Sequence, residues 1–157
     1  MFDVIVDIDG TIADNAHRQY FLNIMKDWDS YRELAINDGV HEDVIVVLKA
    51  LKAIGCKLVL CTGRMERERT MTVDWLRKHD LFKLFSVLYM RKENDHREDY
   101  IVKKELLGQM RRDGYNPLMV FDDRDSVVKM WREAGQLQLT RDRYLQKSLG
   151  ALAYQAD

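Results

Sequence analysis

The stretch Phe2-Asp3-Val4-Ile5-Val6-Asp7-Ile8-Asp9-Gly10-Thr11 decides how the rest of the chain is read. Phe2 to Ile8 is short, apolar and rich in β-branched residues, the pattern of a strand buried on both faces, and Gly10 stops it. Two carboxylates two residues apart, Asp7 and Asp9, close this strand. In a buried setting they are costly unless a cation or a bound substrate compensates them. A plain turn, with Asp9-Gly10 making the bend and Thr11 capping the next segment, is the bland alternative.

Working outward, strand-like and helix-like segments alternate. Val44, Ile45, Val47, Leu48 and Leu51 have helical spacing and Gly55 ends them; Lys57 to Cys61 reads as a second strand. Glu66 to His79 is an amphipathic helix with Met71, Trp75 and Leu76 as its expected inner stripe, and Phe85 to Tyr89 a third strand. Asp99 to Arg112 is a helix, Leu118 to Phe121 a fourth strand, Ser126 to Glu133 a helix and Gln136 to Leu139 a short fifth strand. One or two short helices are expected between His17 and Ile36, where Tyr20, Phe21, Trp28 and Tyr31 stand among polar residues. Arg141 to Tyr154 reads as a surface helix or a frayed tail.

This alternation predicts an α/β fold, a parallel sheet of about five strands with helices on both faces. The length suits a single domain over residues 1–157, with a small helical insert over about 13–40. In such sheets ligands bind beyond the carboxyl ends of the strands. The residues there form a coherent set: Asp7 and Asp9, then Thr62 and Arg64, then Arg91, then Asp122 and Asp123.

That set suits phosphate chemistry. Asp7 would attack phosphorus, and Asp9 would protonate the leaving oxygen and later take a proton from water. Thr62 can offer its hydroxyl and backbone N–H to a phosphate oxygen, while Gly63 lets the backbone come close. Asp122-Asp123, with Asp7, makes a cage of hard oxygens suited to Mg²⁺. Lys103 or Lys104 would offset the clustered negative charge. Cys61 and Arg67 formally give Cys-x5-Arg, the spacing of a thiolate phosphatase, but Glu66 beside the arginine and a single glycine in the loop argue against it.

Composition excludes several classes. The net charge of -1 supplies no global basic field, so an anionic substrate must be held by local arginines and lysines. Cys56 and Cys61 fit neither a zinc site nor a disulfide framework and read as small buried hydrophobes. The chain opens on a strand rather than a signal sequence, and no apolar run is long enough for a membrane span, so a cytoplasmic setting away from membranes is the default expectation.

Taken in order, Asp7-x-Asp9-Gly10-Thr11, Thr62-Gly63-Arg64, Lys103 and Asp122-Asp123 resemble the four motifs of the haloacid dehalogenase superfamily. The resemblance implies the Rossmann-like fold of that superfamily and a Mg²⁺-dependent phosphatase working through an aspartyl-phosphate. It makes Asp7 the nucleophile, Asp9 the acid/base, Thr62 a phosphate ligand and Lys103 the balancing cation. The metal would be held by the Asp7 side chain, the Asp9 carbonyl and mainly Asp123, with Asp122 assisting. Further segments are similar to the 3′-phosphatase domain of phage polynucleotide kinase–phosphatases: Met90-Arg91, Asp95-His96-Arg97-Glu98-Asp99, Ile101-Val102-Lys103-Lys104-Glu105, and Asp122-Asp123-Arg124 with Val127-Val128-Lys129-Met130-Trp131-Arg132. By that similarity the substrate is a polynucleotide 3′-phosphate end, with a nucleoside monophosphate as the alternative. Thr11, Gly63, Arg64, Arg91, Arg97, His17 and Arg18 become candidate substrate contacts. No Gly-x-x-x-x-Gly-Lys-Ser/Thr occurs, so kinase activity is not expected of these residues, and a separate kinase or ligase partner is.

Overall fold

The computed structural model describes residues 2–140. In chain order its strands are β1 (Asp3–Val6), β2 (Ala13–Asp14), β3 (Gly39–Val40), β4 (Lys57–Met65), β5 (Val87–Arg91), β6 (Pro117–Phe121) and β7 (Leu137–Leu139). Its α-helices are α1 (Trp28–Glu33), α2 (Glu42–Ala53), α3 (Arg69–Lys78), α4 (Asp99–Arg112) and α5 (Asp125–Glu133). Five strands form one parallel sheet in the order β5-β4-β1-β6-β7, the expected architecture. β1 lies at its centre and is buried along its whole length, as its unbroken apolar run requires.

Successive side chains of β1 point to opposite faces and seed two cores. Val4 and Val6 pack with Val44, Ile45 and Leu48 of α2 and with Trp75 and Leu76 of α3. Ile5 packs with Val102, Leu106 and Met110 of α4 and with Val127, Met130 and Trp131 of α5. Each face thus carries two helices and one fully buried tryptophan. Both indoles are satisfied: Trp75 Nε1 donates to the Asp38 carbonyl at 2.8 Å and Trp131 Nε1 to Asp122 Oδ2 at 3.1 Å. Truncating either to alanine removes about 3–5 kcal/mol of packing. Cys56 and Cys61 are buried and free, as expected of small buried hydrophobes, and they fall in opposite cores.

The structure corrects some boundaries. β4 does not stop at Cys61 but runs on through Thr62, Gly63 and Arg64 to Met65, with its register against β5 shifting between Thr62 and Met65. Gly63 has the composition of a turn, yet it permits a close pass: a Cβ there would lie 2.5 Å from Asp99 Oδ1. β5 starts at Val87 rather than Phe85, because Phe82–Leu84 forms a 3₁₀ turn first. α3 buries Thr72, Trp75 and Leu76, and Met71 is only half-buried.

The insert is the larger surprise. Its two ends pair as an antiparallel ribbon, β2 with β3, which two-residue strands do not announce in sequence. Inside lie a 3₁₀ turn at Ala16–Arg18, a π-helical turn at Phe21–Met25, α1, and a second 3₁₀ turn at Leu34–Asn37. Asp27 starts α1 by accepting from the Ser30 N–H at 3.0 Å and from its hydroxyl at 2.6 Å. The predicted helix or tail at Arg141 to Tyr154 lies outside the described residues. No described helix is long and apolar enough to cross a membrane.

Candidate active site

At the carboxyl edge of the sheet the ends of β1, β4, β5 and β6 converge on one cavity of about 550 Å³. Asp7, Asp9, Gly63, Arg64, Arg91, Arg97, Asp99, Asp123 and Arg124 line it, with Arg18, Leu22, Trp28, Tyr31 and Arg32 from the insert. β1 delivers Asp7 because its backbone stays in register with β6, Asp7 N–H donating to the Phe121 carbonyl at 2.9 Å. Gly10, at φ +80°, then turns the chain beneath Asp123, where a Cβ would meet Asp123 Oδ2 at 2.3 Å.

Under the floor sits Lys103, 1% exposed. Its ammonium lies 2.9 Å from Asp7 Oδ1, 2.8 Å from Asp122 Oδ2 and 3.5 Å from Asp99 Oδ2. Lys104, one residue on, is exposed. Burial would discharge Lys103, but Asp122, Asp7 and Asp99 outweigh it and hold the ammonium charged. One ammonium is too little for this neighbourhood. Burial pushes the Asp7 carboxyl well above the usual range against the pull of Lys103, and Asp122, Asp123 and Asp9 add to the rise. Asp123 opens on the cavity, yet partial loss of hydration and the Asp122 carboxylate push it up to about 6.

Oxygens of Asp7, Asp122 and Asp123 lie within 4.8 Å of one another. Three carboxylates share one buried ammonium, so negative charge is crowded at the floor, a place that added positive charge would relieve. The all-oxygen donor set is that of a hard cation. These residues therefore fit a divalent metal.

Asp9 is held differently. Arg64 reaches it with Nε at 3.0 Å and Nη2 at 2.7 Å, and Arg18 Nη2 bonds the same carboxylate. Burial alone would raise Asp9; the two guanidinium groups outweigh it and hold the carboxyl far below its usual range. Behind them Asp38, buried, accepts from Arg18 Nε at 2.7 Å and Nη2 at 2.6 Å, and from His17 at 2.9 Å. Sequence reasoning misses Asp38, since Asn37-Asp38-Gly39 looks like an ordinary turn.

The candidate substrate contacts divide into groups. Arg64 and Arg18 lie in the cavity wall, committed to Asp9. Arg91 is buried and braces the wall, donating to the carbonyls of Gly63, Asp95 and Arg97 and to Asp99 Oδ1. Arg97 stands on the rim, paired with Asp95 and Glu105. Thr62 is fully buried, its Oγ1 accepting from Arg64 N–H at 3.2 Å. Thr11 and His17 are not brought to the cavity. Thr11 lines a separate smaller hollow with Val44, Val47 and Phe121, and its buried hydroxyl has no partner among the described residues. His17 sits behind Arg18 on Asp38. In sequence Asp99 stands out only as part of a motif, yet in the structure it joins Arg91 to Lys103. The thiolate alternative is overturned: Cys61 is buried in the core with its thiol pushed up by burial, and Arg67 pairs with Glu93 on the surface.

The fold and its cluster of strand-end acids define a hydrolase of the haloacid dehalogenase type. A haloacid dehalogenase-like hydrolase from Streptococcus pneumoniae shares the fold at 12% identity, with a TM-score of 0.63 over 99% of this chain and 92% of that one. The chain belongs to the family of polynucleotide kinase PNKP phosphatase domains, whose model matches residues 3–141, and is thus a phosphoric monoester hydrolase. It is 32% identical over 131 residues to a protein assigned as a bifunctional polynucleotide kinase/RNA ligase in Autographa californica nuclear polyhedrosis virus. That match spans 83% of this chain and 18% of the relative. Chains from two structures of a Pnkp1/Rnl/Hen1 complex, one described as an RNA repair complex, are similar at 33% and 32% identity, with TM-scores of 0.73 and 0.74. They cover 88% and 90% of this chain, which spans less than half of each of them.

Proposed function

We propose that the chain removes the terminal phosphate from the 3′ end of a polynucleotide, with Asp7 as nucleophile and Mg²⁺ as the required ion. The observation that carries the reading is the pairing, in one cavity, of a floor of clustered carboxylates with an acidic residue gripped by two arginines. Family membership supports action on polynucleotide ends.

Asp7, Asp122, Asp123 and the Asp9 carbonyl would hold the ion, which supplies positive charge against the phosphate oxygens and orients them. The remaining steps belong to the chain. An Asp7 carboxylate oxygen forms a bond to phosphorus while the ester P–O bond breaks and Asp9 passes a proton to the departing 3′ oxygen. In the free protein Asp9 is ionised because Arg18 and Arg64 hold it. An arriving phosphate dianion competes for the same guanidinium groups, loosens that grip and raises the proton affinity of Asp9, which takes up a proton from solvent before the bond breaks. Water then attacks phosphorus, Asp9 takes its proton, and the Asp7–phosphorus bond breaks to release inorganic phosphate. Lys103 stays charged throughout and steadies Asp7. A separate kinase and ligase would complete end healing, in keeping with the activities named for the relatives.

The test is phosphate release from a 3′-phosphorylated oligonucleotide and from nucleoside 3′- and 5′-monophosphates, with Mg²⁺ or with chelator. Release from the oligonucleotide, abolished by chelator and lowered by at least about 10⁴-fold in Asp7→Asn, is the expected result. Faster release from free nucleotides would turn the reading toward nucleotide hydrolysis. No release from any substrate would sink it.

A further inference from the structure

The insert presents to the cavity a side chain that the chemistry of the floor does not use. Trp28, the first residue of α1, lines the cavity and is 51% exposed, whereas Trp75 and Trp131 are 0% exposed. Leaving half an indole in water forgoes much of its burial energy, and at the lip of a reaction cavity that surface is available to a ligand. The ring is firmly mounted. Its helix is fixed by the Asp27 cap, and its edge meets Tyr31 with centroids 6.2 Å apart and planes at 78°. Tyr31 is itself buried and lies against the Arg18 guanidinium, 4.1 Å from the ring centroid. The Arg18 that touches this aromatic pair also grips Asp9. Arg32 completes the wall, its guanidinium 5.7 Å from the Trp28 ring centroid.

An exposed aromatic face beside a guanidinium, across a cavity from phosphate chemistry, matches a flat π-system attached to a phosphate. We propose that Trp28, backed by Tyr31 and flanked by Arg32, is the stacking platform for the nucleobase of the nucleotide whose phosphate is removed. The inference rests on the phosphatase reading and deepens it by naming what selects the substrate. Every base has a π-face, so such a platform reads the presence of a base and not its identity. The mounting ties recognition to chemistry, because a base seated on Trp28 presses on the same Tyr31–Arg18 unit that governs Asp9.

Two 3′-phosphorylated oligonucleotides, one ending in a normal nucleotide and one in an abasic deoxyribose, separate the possibilities. Wild type should favour the base-bearing end by roughly tenfold in kcat/KM, mainly through KM. Trp28→Ala should bring the ratio toward one, and Trp28→Phe should restore most of it. In an Asp7→Asn background the emission of Trp28, the one exposed tryptophan among the described residues, should be quenched by a nucleoside 3′-monophosphate but not by inorganic phosphate. Trp28→Phe should remove that quenching. An unchanged ratio in Trp28→Ala, with phosphatase activity present, would overturn the platform and leave Trp28 to contact something else, such as a partner protein. A wild type that releases phosphate from neither oligonucleotide would instead remove the phosphatase reading, and this inference with it.

Discussion

The floor and the insert wall of the cavity are built on different principles. The floor brings together Asp7, Lys103 and Asp122 from β1, α4 and the end of β6, far apart in sequence, and removes them from water. The wall comes from one short excursion between β2 and β3 and leaves Trp28 half-exposed, with Arg32 beside it paired to Asp29. Charges on the floor have few ways to be satisfied, so they set one another's ionisation. On the wall, Trp28 keeps about half its surface in water until something binds. The difference teaches that the sheet places the acids of the floor, whereas the insert adds an exposed aromatic and the Arg18–Asp38 pair that grips Asp9.

The comparison breaks hardest at Lys103. Lys103→Met leaves Asp7 and Asp122 buried without their cation, which should cost about 3–5 kcal/mol in urea unfolding, with most of the phosphatase activity lost. Mg²⁺ should return part of that stability, since it supplies charge at the same place. Equal losses with and without Mg²⁺ would mean that the floor is not an electrostatic unit.

Asp99 tests how far the floor extends. Burial would raise its carboxyl, but Lys103, Arg124 and Arg91 outweigh burial and lower it. A depressed acid stabilises the fold above its unfolded pKa, and that contribution drains away as pH falls through the folded value. Asp99→Asn should therefore cost about 1–3 kcal/mol at neutral pH. The gap to wild type should narrow below about pH 4, as both chains are followed by thermal melting in acid. A constant gap across that range would show that Asp99 acts through shape alone.

The smallest effect belongs to the surface. Arg67 and Glu93 are both well exposed, so Arg67→Ala should change stability by less than about 1 kcal/mol. Cys61→Ser with Arg67→Ala should retain phosphatase activity in the presence of Mg²⁺. Loss of activity with unchanged melting would restore a role for Arg67 at the site.

How legible is this in sequence? The sheet is plain, because β1 and β4 are apolar runs and α4 and α5 carry helical spacing that two buried faces require. The acids are visible because carboxylates ending such strands are expensive without a purpose. Lys103 can be named from motif order, but only packing tells it from Lys104, since adjacent helical positions point about 100° apart. The extension of β4 is hidden, because Thr62-Gly63 has turn composition and its true reason is the nearness of Asp99. The bracing role of Arg91 and the part played by Asp38 are hidden for a related reason. Arg91 reaches the Gly63 carbonyl 28 residues back, and Asp38 meets Arg18 20 residues back, pairings that no local pattern encodes.

The ribbon of β2 and β3 has a consequence for how such a protein changes over time. It pins the departure and return of the insert side by side, Ala13 opposite Val40 and Asp14 opposite Gly39. What lies between is a cassette on a closed clasp. Residues can be added, removed or exchanged within it at small entropic cost, since loop closure grows only slowly with length. The clasp leaves the strand that carries Asp7 undisturbed, so the rest of the cassette can change as long as Arg18 and Asp38 keep their hold on Asp9.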